Sequence, residues 1–347
     1  MVLKHKVLIW GAGAIGGTLG AAFIRAGHDV AFVDNVPAHV AAINATGLRI
    51  DGPIFQGVVH ATASLPGDVT GDVTGQHDLI FLCVKALHTE GAAHALAPHL
   101  SPHGAVVSAQ NGLNEIALSR ILGSARVIGC FVNFGADYLE PGVVHYSGHG
   151  AAVIGELDGA DTPRIRSLLG LMRDFDPKAR QTDNIWGYLW GKMIYGALLF
   201  GTALTNDSIA DVLENTAARP VLTRLGQEVG RVAVAQNVQT EGFDGFAPAA
   251  FAPDAPQALI DKSFADMVAH NRKSAKSHSG IWRDLAIRKR QTEVLAQLGP
   301  IVTAGQAAGV SVALTARLID LIQDIEAGRR ALVMENLSLL AQADGGA

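Results

Sequence analysis

The sequence is poor in cysteine, in aromatic residues and in charge. Its 347 residues include only two cysteines, Cys83 and Cys130, which are far apart and belong to no Cys-x-x-Cys pair. This argues against a disulfide framework or a cysteine-based zinc site and favours a reducing, cytoplasmic setting. Charged residues make up 17% and the net charge is −5, so no overall basicity indicates a nucleic acid or an anionic membrane as partner. The scattered histidines form no ligand cluster, and no metal is predicted.

Long uninterrupted apolar runs are also missing. The uncharged stretch that follows the opening MVLKHK continues to Ile24, but five glycines interrupt it: Gly11, Gly13, Gly16, Gly17 and Gly20. A secretion signal needs a continuous apolar centre, and each glycine costs a helix about 1 kcal/mol. We therefore expect neither a signal peptide nor a membrane anchor here. At this length, and with 49% hydrophobic residues, two domains are expected.

The same stretch has the pattern of a strand, a turn and a helix. Residues 6–10 (KVLIW) are apolar enough for a strand buried on both faces, and Gly11, Gly13 and Gly16 then give G-x-G-x-x-G. In such a turn the first glycine allows the tight bend, the second lets a pyrophosphate approach, and the third lets helix and strand pack closely. The start of the helix, with Ala14 and Ile15, offers N–H groups to phosphates. The pattern predicts a dinucleotide site.

The cofactor preference is predicted from Asp34, at the end of the second strand (HDVAFVD, residues 28–34). A carboxylate there can accept hydrogen bonds from the adenosine ribose and repels a 2′-phosphate. Asn35 follows, with no arginine directly beside it. This favours NAD and leaves NADP open, while an ordinary strand-end cap is the alternative role for Asp34.

The rest of the chain divides into two parts. Strand-like runs alternate with helical patterns up to about residue 163, which predicts a mostly parallel sheet. Helical patterns dominate afterwards, at residues 162–175, 186–205, 217–236, 256–273, 282–309 and 313–341, and residues 237–258 form a Gly/Pro/Ala-rich loop. We predict an α/β Rossmann domain over residues 1–182 and an all-α domain for substrate binding and dimerisation over residues 183–347.

Five blocks in this order resemble the ketopantoate reductase family, which comprises 2-dehydropantoate 2-reductases and related 2-hydroxyacid dehydrogenases. They are GAGAIGG at 11–17, FLCVKAL at 81–87, QNGLN at 110–114, WGKM at 190–193 and RDLAIRKRQTEV at 283–294. The resemblance implies a nicotinamide cofactor between the two domains and hydride transfer to a 2-oxo acid. It also implies that Lys192 and Glu293 are catalytic, that Lys85 lies beside the cofactor, and that Asn111 meets cofactor and substrate.

Each of these residues also has an ordinary structural explanation. Lys192 could be a helix lysine with a buried stem and an exposed amine. Asn111 begins a common turn dipeptide, and Lys85 could be a solvated strand-end lysine. Glu293 could pair with Lys289 on one helix.

The chain departs from the family where substrate is expected. By the resemblance, asparagines that contact substrate lie one and two helical turns after the catalytic lysine, and here these positions are Gly196 and Phe200. Losing a buried amide partner costs about 1–3 kcal/mol, which argues against unchanged ketopantoate recognition. Phe200 suggests a more apolar or aromatic substrate. Asn206 is a candidate replacement in a different register.

Further substrate candidates lie in the basic segment 271–290. The resemblance also implies a serine before Asp284. Because the chain has one residue more than the family between Asp284 and Glu293, both Ser277 and Ser279 are candidates for that serine. Arg283, with Lys273 and His278, is a candidate clamp for a carboxylate, although a solvated helix face is the alternative and Arg288 could simply pair with Asp284.

The sequence thus predicts an NAD(P)-dependent 2-hydroxyacid dehydrogenase with an altered pocket, with no nucleic-acid or membrane partner and with a homodimer left open. The alternatives are a dehydrogenase of a hydroxy-lactone or sugar acid, and a nucleotide sensor that has lost catalysis.

Overall fold

The computed structural model describes residues 4–69, 77–273 and 277–344. The chain divides into two compact units, Met1–Ile185 and Trp186–Ala347. The boundary between residues 182 and 183 that we predicted lies close to this division.

The first unit alternates strands with helices. The strands are β1 (Lys6–Trp10), β2 (Asp29–Val33), β3 (Leu48–Asp51), β4 (Gly57–Val59), β5 (Ala63–Ser64), β6 (His77–Leu82), β7 (Leu100–Ser108), β8 (Val127–Val132), β9 (Gly135–Glu140), β10 (Val143–Gly148), β11 (Ala152–Glu156) and β12 (Arg180–Gln181). The helices are α1 (Ala14–Arg25), α2 (Pro37–Thr46), α3 (Thr89–Leu96), α4 (Asn114–Leu122) and α5 (Pro163–Phe175).

The main sheet has the order β12-β11-β8-β7-β6-β1-β2-β5. From β5 to β8 all neighbours are parallel, and only β11 joins β8 in the antiparallel sense. These six parallel strands follow the 3-2-1-4-5-6 order of a doubly wound dinucleotide-binding sheet, so the Rossmann prediction is confirmed. Parallel strands covered on both faces are continuously apolar, as β8 is and as β1 is after Lys6.

A second sheet, ordered β4-β3-β10-β9, covers α1 on its other side. The close approach explains two glycines that lie outside the G-x-G-x-x-G pattern. A Cβ on Gly17 would lie 3.1 Å from a Val144 methyl of this small sheet, and one on Gly20 would lie 2.5 Å from the Phe32 ring of the main sheet. Helix α1 is therefore glycine-rich because it is packed between two sheets.

The second unit is helical, as predicted. Its helices are α6 (Ile185–Thr202), α7 (Ile209–Glu214), α8 (Arg219–Ala235), α9 (Gln257–Lys273), α10 (Gly280–Trp282), α11 (Val294–Ala307), α12 (Ala313–Glu326) and α13 (Glu335–Ala341). The buried Glu228 of α8 accepts hydrogen bonds from the N–H groups of Leu314 and Thr315 and from the Thr315 hydroxyl, which joins α8 to the start of α12.

Two long helices predicted in this unit are wrong. The run 282–309 is broken, because a π-helical turn (Arg283–Ile287) follows α10, Lys289 takes a left-handed φ of 48°, and α11 starts only at Val294. The run 313–341 is broken after α12, where Gly328 has a φ of 70°. Residues 288–293 have good helix propensity, so contacts distant in sequence decide the first break: Thr292 donates its N–H and its hydroxyl to Glu326.

Within residues 4–69, 77–273 and 277–344, no helix combines the length and apolarity needed to cross a bilayer.

Candidate active site

The glycine turn between β1 and α1 has the geometry that the motif predicts. Gly11 has a φ of 100°, and a Cβ there would lie 2.9 Å from the backbone of Cys83. A Cβ on Gly16 would lie 1.9 Å from the Gly11 carbonyl oxygen. At Gly13, by contrast, a Cβ would meet no atom within 4 Å. Gly11 and Gly16 thus serve the turn itself, while Gly13 borders open space.

Two side chains hold the peptide groups of Ala12 inside this turn. Asp34 accepts the Ala12 N–H at 2.9 Å with one carboxylate oxygen and the Val36 N–H at 2.9 Å with the other. The buried His39 of α2 bonds the Ala12 carbonyl oxygen through Nε2 at 2.9 Å, and its Nδ1 accepts the Gly142 N–H at 2.8 Å. Because Nδ1 accepts, Nε2 carries the proton and donates. The turn is therefore braced from both sides.

This turn fits a dinucleotide. The N–H groups at the start of a helix have no partner within the helix, and a Cβ on Gly13, directly before α1, would meet no atom within 4 Å. Gly13, Ala14 and Ile15 are all partly exposed, so these groups can be reached. Asp34 keeps partial exposure at the end of β2, where a ribose hydroxyl could reach its remaining lone pairs. The exposure of this turn and the carboxylate beside it therefore fit the phosphates and the ribose of a dinucleotide.

Lys85 and Asn111 follow the two neighbouring strands β6 and β7. The backbone pairing continues past the strands, because Cys83 donates to Trp10 and Ala109 donates to Leu82. Since β1, β6 and β7 are parallel, Lys85 and Asn111 emerge at the same sheet edge as the glycine turn. Lys85 is half-buried and Asn111 is exposed. Ligands of such sheets bind at this edge.

Glu115, in the first turn of α4, is a buried carboxyl near that edge. It is fully inaccessible, and neither of its oxygens has a hydrogen bond of ordinary geometry among the described residues. Burial raises its pKa from 4.5 to about 7, while its own backbone N–H and the Ser108 hydroxyl act in the opposite direction. Glu115 is thus largely protonated below neutral pH.

In the second unit, one face of α6 carries Lys192. Four partly exposed residues share this face: Tyr195 and Gly196 follow Lys192 by three and four residues, and Leu199 follows Gly196 by three. A Cβ on Gly196 would meet no atom within 4 Å, which means that open space lies one turn after Lys192. Phe200, in contrast, is completely inaccessible. The open part of this face is therefore Gly196 with Leu199, and substrate contact by Phe200 stays a prediction.

The segment 237–258 packs against the same helix. Glu241 donates its N–H to the Gly187 carbonyl, and a Cβ on Gly191 would lie 2.2 Å from the Glu241 carbonyl oxygen. The rings of Phe243 and Phe246 lie 6.1 Å and 5.1 Å from that of Tyr195. The glycine before Lys192 is thus required by this packing.

Glu293 immediately precedes α11 and is half-buried. Its neighbour Thr292 is fixed by the two hydrogen bonds to Glu326 of α12. Glu293 and Lys289 do not lie on one helix, because Lys289 has a left-handed φ of 48° and α11 begins only at Val294. The alternative explanation of Glu293 as the partner of Lys289 along one helix therefore does not apply.

The serine candidates have local structural roles. Ser279 caps α10 by accepting the Trp282 N–H at 3.1 Å, and Ser277 bonds the Nδ1 of His278 at 2.8 Å. The His278 ring stacks on Trp282 at 4.0 Å, and Asn206 accepts from the Trp282 indole N–H. Asn206 is thus engaged with this aromatic pair.

Arg283, half-buried, opens the π-helical turn that follows, and Lys273 is exposed at the end of α9. Asp284 pairs with Arg288, as the sequence suggested, and also with Arg290, both at 2.9 Å. Residues 274–276 of the basic segment lie outside the described residues.

Sequence reasoning missed His39, Glu115 and Gln110, whose contacts bear on the glycine turn and on the strand ends. His39 was one of thirteen histidines with no pattern around it. A histidine two residues after the proline that starts α2 gives no signal of a contact with Ala12, 27 residues earlier. Only the fold brings the two together.

A doubly wound parallel sheet with a glycine turn between its first strand and first helix is typical of the class of dinucleotide-binding proteins. Residues 7–159 match the family model described as ketopantoate reductase PanE/ApbA, and residues 184–326 match the model of its C-terminal part. The chain therefore belongs to the ketopantoate reductase family, as the sequence motifs predicted.

Three known proteins are similar to this chain over nearly its whole length. A 2-dehydropantoate 2-reductase of Archaeoglobus fulgidus is 30% identical over 326 residues, which cover 93% of this chain and 99% of that protein. The crystal structure of a PanE/ApbA family ketopantoate reductase from Ralstonia eutropha JMP134 is 29% identical with a TM-score of 0.76, covering 94% of this chain and 100% of that one. D-mandelate dehydrogenase in a ternary structure with NADH and anilino(oxo)acetate shares the fold, with 20% identity, a TM-score of 0.80 and coverage of 93% and 98%.

Proposed function

We propose that this chain is an NAD(P)-dependent oxidoreductase that transfers a hydride between nicotinamide and a 2-oxo or 2-hydroxy acid, with a pocket altered from that of ketopantoate reductases. The family acts on 2-oxo and 2-hydroxy acids. The observation that carries the altered pocket is the open space at Gly196, one turn from Lys192 on the accessible face of α6.

Each candidate site residue has a distinct role in this proposal. The glycine turn would hold the pyrophosphate, and Asp34 the adenosine ribose. Lys85 and Asn111, at the same sheet edge, would hold the nicotinamide end. When bound, the nicotinamide supplies or accepts a hydride. The Lys192 ammonium would donate a hydrogen bond to the carbonyl oxygen of the substrate and provide its proton, because negative charge develops there. Glu293 would orient Lys192 or accept a hydrogen bond from a hydroxyl group of the substrate.

A substrate larger and less polar than ketopantoate suits this arrangement. Gly196 has no side-chain amide such as an asparagine would provide, and Leu199 continues the same face with an apolar side chain. A polar substrate group placed there would lose a hydrogen bond at a cost of about 1–3 kcal/mol, whereas an apolar group would fill the space. The second candidate function, a dehydrogenase of a hydroxy-lactone or sugar acid, needs more polar partners on this face.

NAD is the cofactor that Asp34 favours. Its carboxylate is partly exposed at the end of β2, where it would repel a 2′-phosphate. The fold-related D-mandelate dehydrogenase is described with NADH. NADP stays open.

A reducing compartment such as the cytoplasm fits a chain whose two cysteines are present as thiols. A homodimer stays a prediction, which the elution volume of the purified protein would decide.

The test is a panel of 2-oxo acids with side chains from methyl to phenyl size, plus a hydroxy-lactone and a sugar acid, followed by NADH and NADPH absorbance. We expect turnover of the bulkier 2-oxo acids above that of ketopantoate, and loss of kcat by at least about 100-fold in Lys192→Ala. Equal or better turnover of ketopantoate would reject the altered pocket. Cofactor binding without turnover of any compound would favour the sensor.

Gly196→Asn sharpens this test. Placing an amide at this position should shift the ratio of kcat/KM for ketopantoate over a phenyl-sized 2-oxo acid by about 10-fold or more toward ketopantoate. Gly170→Asn is the matched control, because Gly170 is a helical glycine of α5 beside equally open space. The control should leave the ratio unchanged.

A further inference from the structure

A relay of buried side-chain hydrogen bonds lies beneath the segments that carry Lys85 and Asn111. Gln110 donates from Nε2 to the Val84 carbonyl at 2.8 Å and to the Thr89 hydroxyl at 2.9 Å. Thr89 donates in turn to Oδ1 of Asn114 at 2.8 Å, and Asn114 donates from Nδ2 to the Asn111 carbonyl at 2.8 Å. The relay thus begins at the residue before Lys85 and ends at Asn111 itself.

The donors and acceptors of this relay match in one arrangement only. Both hydrogens of the Gln110 amide are used, and the single Thr89 hydrogen is committed to Asn114. Rotating the Gln110 amide by 180° would place its oxygen against the Val84 carbonyl oxygen, two acceptors facing each other. Rotating Asn114 would do the same at the Asn111 carbonyl. The relay therefore fixes one spacing between the two segments.

Burial makes that spacing stiff. Gln110, Thr89 and Asn114 are 5%, 2% and 7% exposed, so water cannot replace a lost partner. A buried amide or hydroxyl that loses its partner is left without a hydrogen bond, which destabilises the arrangement. A fully satisfied buried network of this kind selects one conformation of the backbone that it joins.

We propose that Gln110 is a positioning residue, which sets the distance between the segments that carry Lys85 and Asn111. The nicotinamide-binding part of the site is then already formed before the cofactor binds. The proposal rests on the proposed function only for the identity of the ligand. A binding site that is already formed loses less conformational entropy when the cofactor binds. The relay therefore affects the affinity for the cofactor and the geometry of hydride transfer.

The first test is hydrogen exchange on the protein without cofactor, which does not depend on activity. Gln110→Glu keeps the shape but replaces the amide donors with carboxylate oxygens facing the Val84 carbonyl. We expect faster exchange of backbone amides in residues 84–88 and 111–116, with strands β1 and β8 unchanged. We also expect the Kd for NADH to rise about 10-fold, the value of one buried hydrogen bond at about 1.4 kcal/mol.

Glu156→Gln is the matched control. Glu156 is a buried polar residue of the same unit, in β11 toward the far side of the main sheet, and it accepts hydrogen bonds from Thr162 and Arg164. Substituting it therefore removes a comparable structural interaction. If this control lowers the Tm as much as Gln110→Glu but leaves NADH affinity and the exchange of 84–88 unchanged, the effect of Gln110 is local. Equal loss of affinity in both variants would overturn the proposal.

Thr89 provides a rescue pair if Gln110→Glu fails to fold. Thr89→Val removes the hydroxyl in the same shape, whereas Thr89→Ser retains it. Thr89→Val should weaken NADH binding and lower kcat, and Thr89→Ser should behave like the parent protein. Identical behaviour of the two variants would refute the relay. A parent protein that binds neither NADH nor NADPH would instead refute the proposed function, while the exchange result would still stand.

Discussion

The imidazole Nε2 of His39 lies 2.9 Å from the carbonyl oxygen of Ala12, inside the glycine turn. On the other ring nitrogen His39 holds Gly142, in the turn between β9 and β10. One buried side chain thus connects the glycine turn with the small sheet. The turn keeps its shape through contacts outside the motif.

His39→Ala should therefore weaken dinucleotide binding. Losing a hydrogen bond of about 1 kcal/mol at the turn predicts a roughly 5-fold rise in the Kd for NADH, with kcat at saturating cofactor nearly unchanged. Fluorescence titration measures the Kd. His103→Ala, which removes an exposed histidine at the start of β7, should have no effect. A parent-like Kd in His39→Ala would show that the turn needs no such brace.

Gly13→Ala and Gly16→Ala should separate binding from stability. The new methyl group at Gly13 enters open space, so the Tm should stay within about 2 °C while dinucleotide binding falls sharply, because the methyl occupies the approach to the turn. At Gly16 the methyl would clash with the Gly11 carbonyl, so the Tm itself should fall. A large loss of Tm in Gly13→Ala would contradict the proposed approach of the pyrophosphate.

Asp34→Asn should change cofactor preference. Removing the negative charge at the end of β2 abolishes repulsion of a 2′-phosphate, so the ratio of Kd values for NADPH and NADH should fall about 10-fold. The amide retains only one of the two acceptors used by Ala12 and Val36, so a small loss of Tm is also expected. Asp29→Asn, at the start of the same strand, serves as the charge-matched control. An unchanged ratio would assign Asp34 to bracing alone.

Glu115 should make stability depend on pH. Its pKa is raised to about 7 in the folded state by burial, so the folded protein retains a proton that the unfolded chain releases above pH 4.5. The free energy of unfolding contributed by this group should fall by about 3 kcal/mol as pH rises from 4.5 to 7 and then level off. Glu115→Gln should remove this slope, so that its stability relative to the parent increases toward pH 8. Urea unfolding at several pH values measures it, and parallel pH profiles would exclude the effect.

Much of the first unit could be predicted from residues close in sequence. The five residues of β1 and the spacing of Gly11, Gly13 and Gly16 act through a local turn, so the sequence pattern is sufficient there. The breaks near Lys289 and after Glu326 could not be predicted. The first depends on a contact between Thr292 and Glu326, 34 residues apart, and helix propensity contains no information about it.

The sequence by itself determined the alternation of strands and helices in the first unit and the glycine turn, because both follow from local pattern. The catalytic roles expected of Lys192 and Glu293 came instead from the resemblance of the sequence blocks to a known family. Only the tertiary structure decided that His39 braces the turn, that Gln110 joins the segments after β6 and β7, and that Gly196 rather than Phe200 borders open space. Burial and hydrogen bonding at these positions depend on which segments the fold places side by side, and that property belongs to no short stretch of sequence.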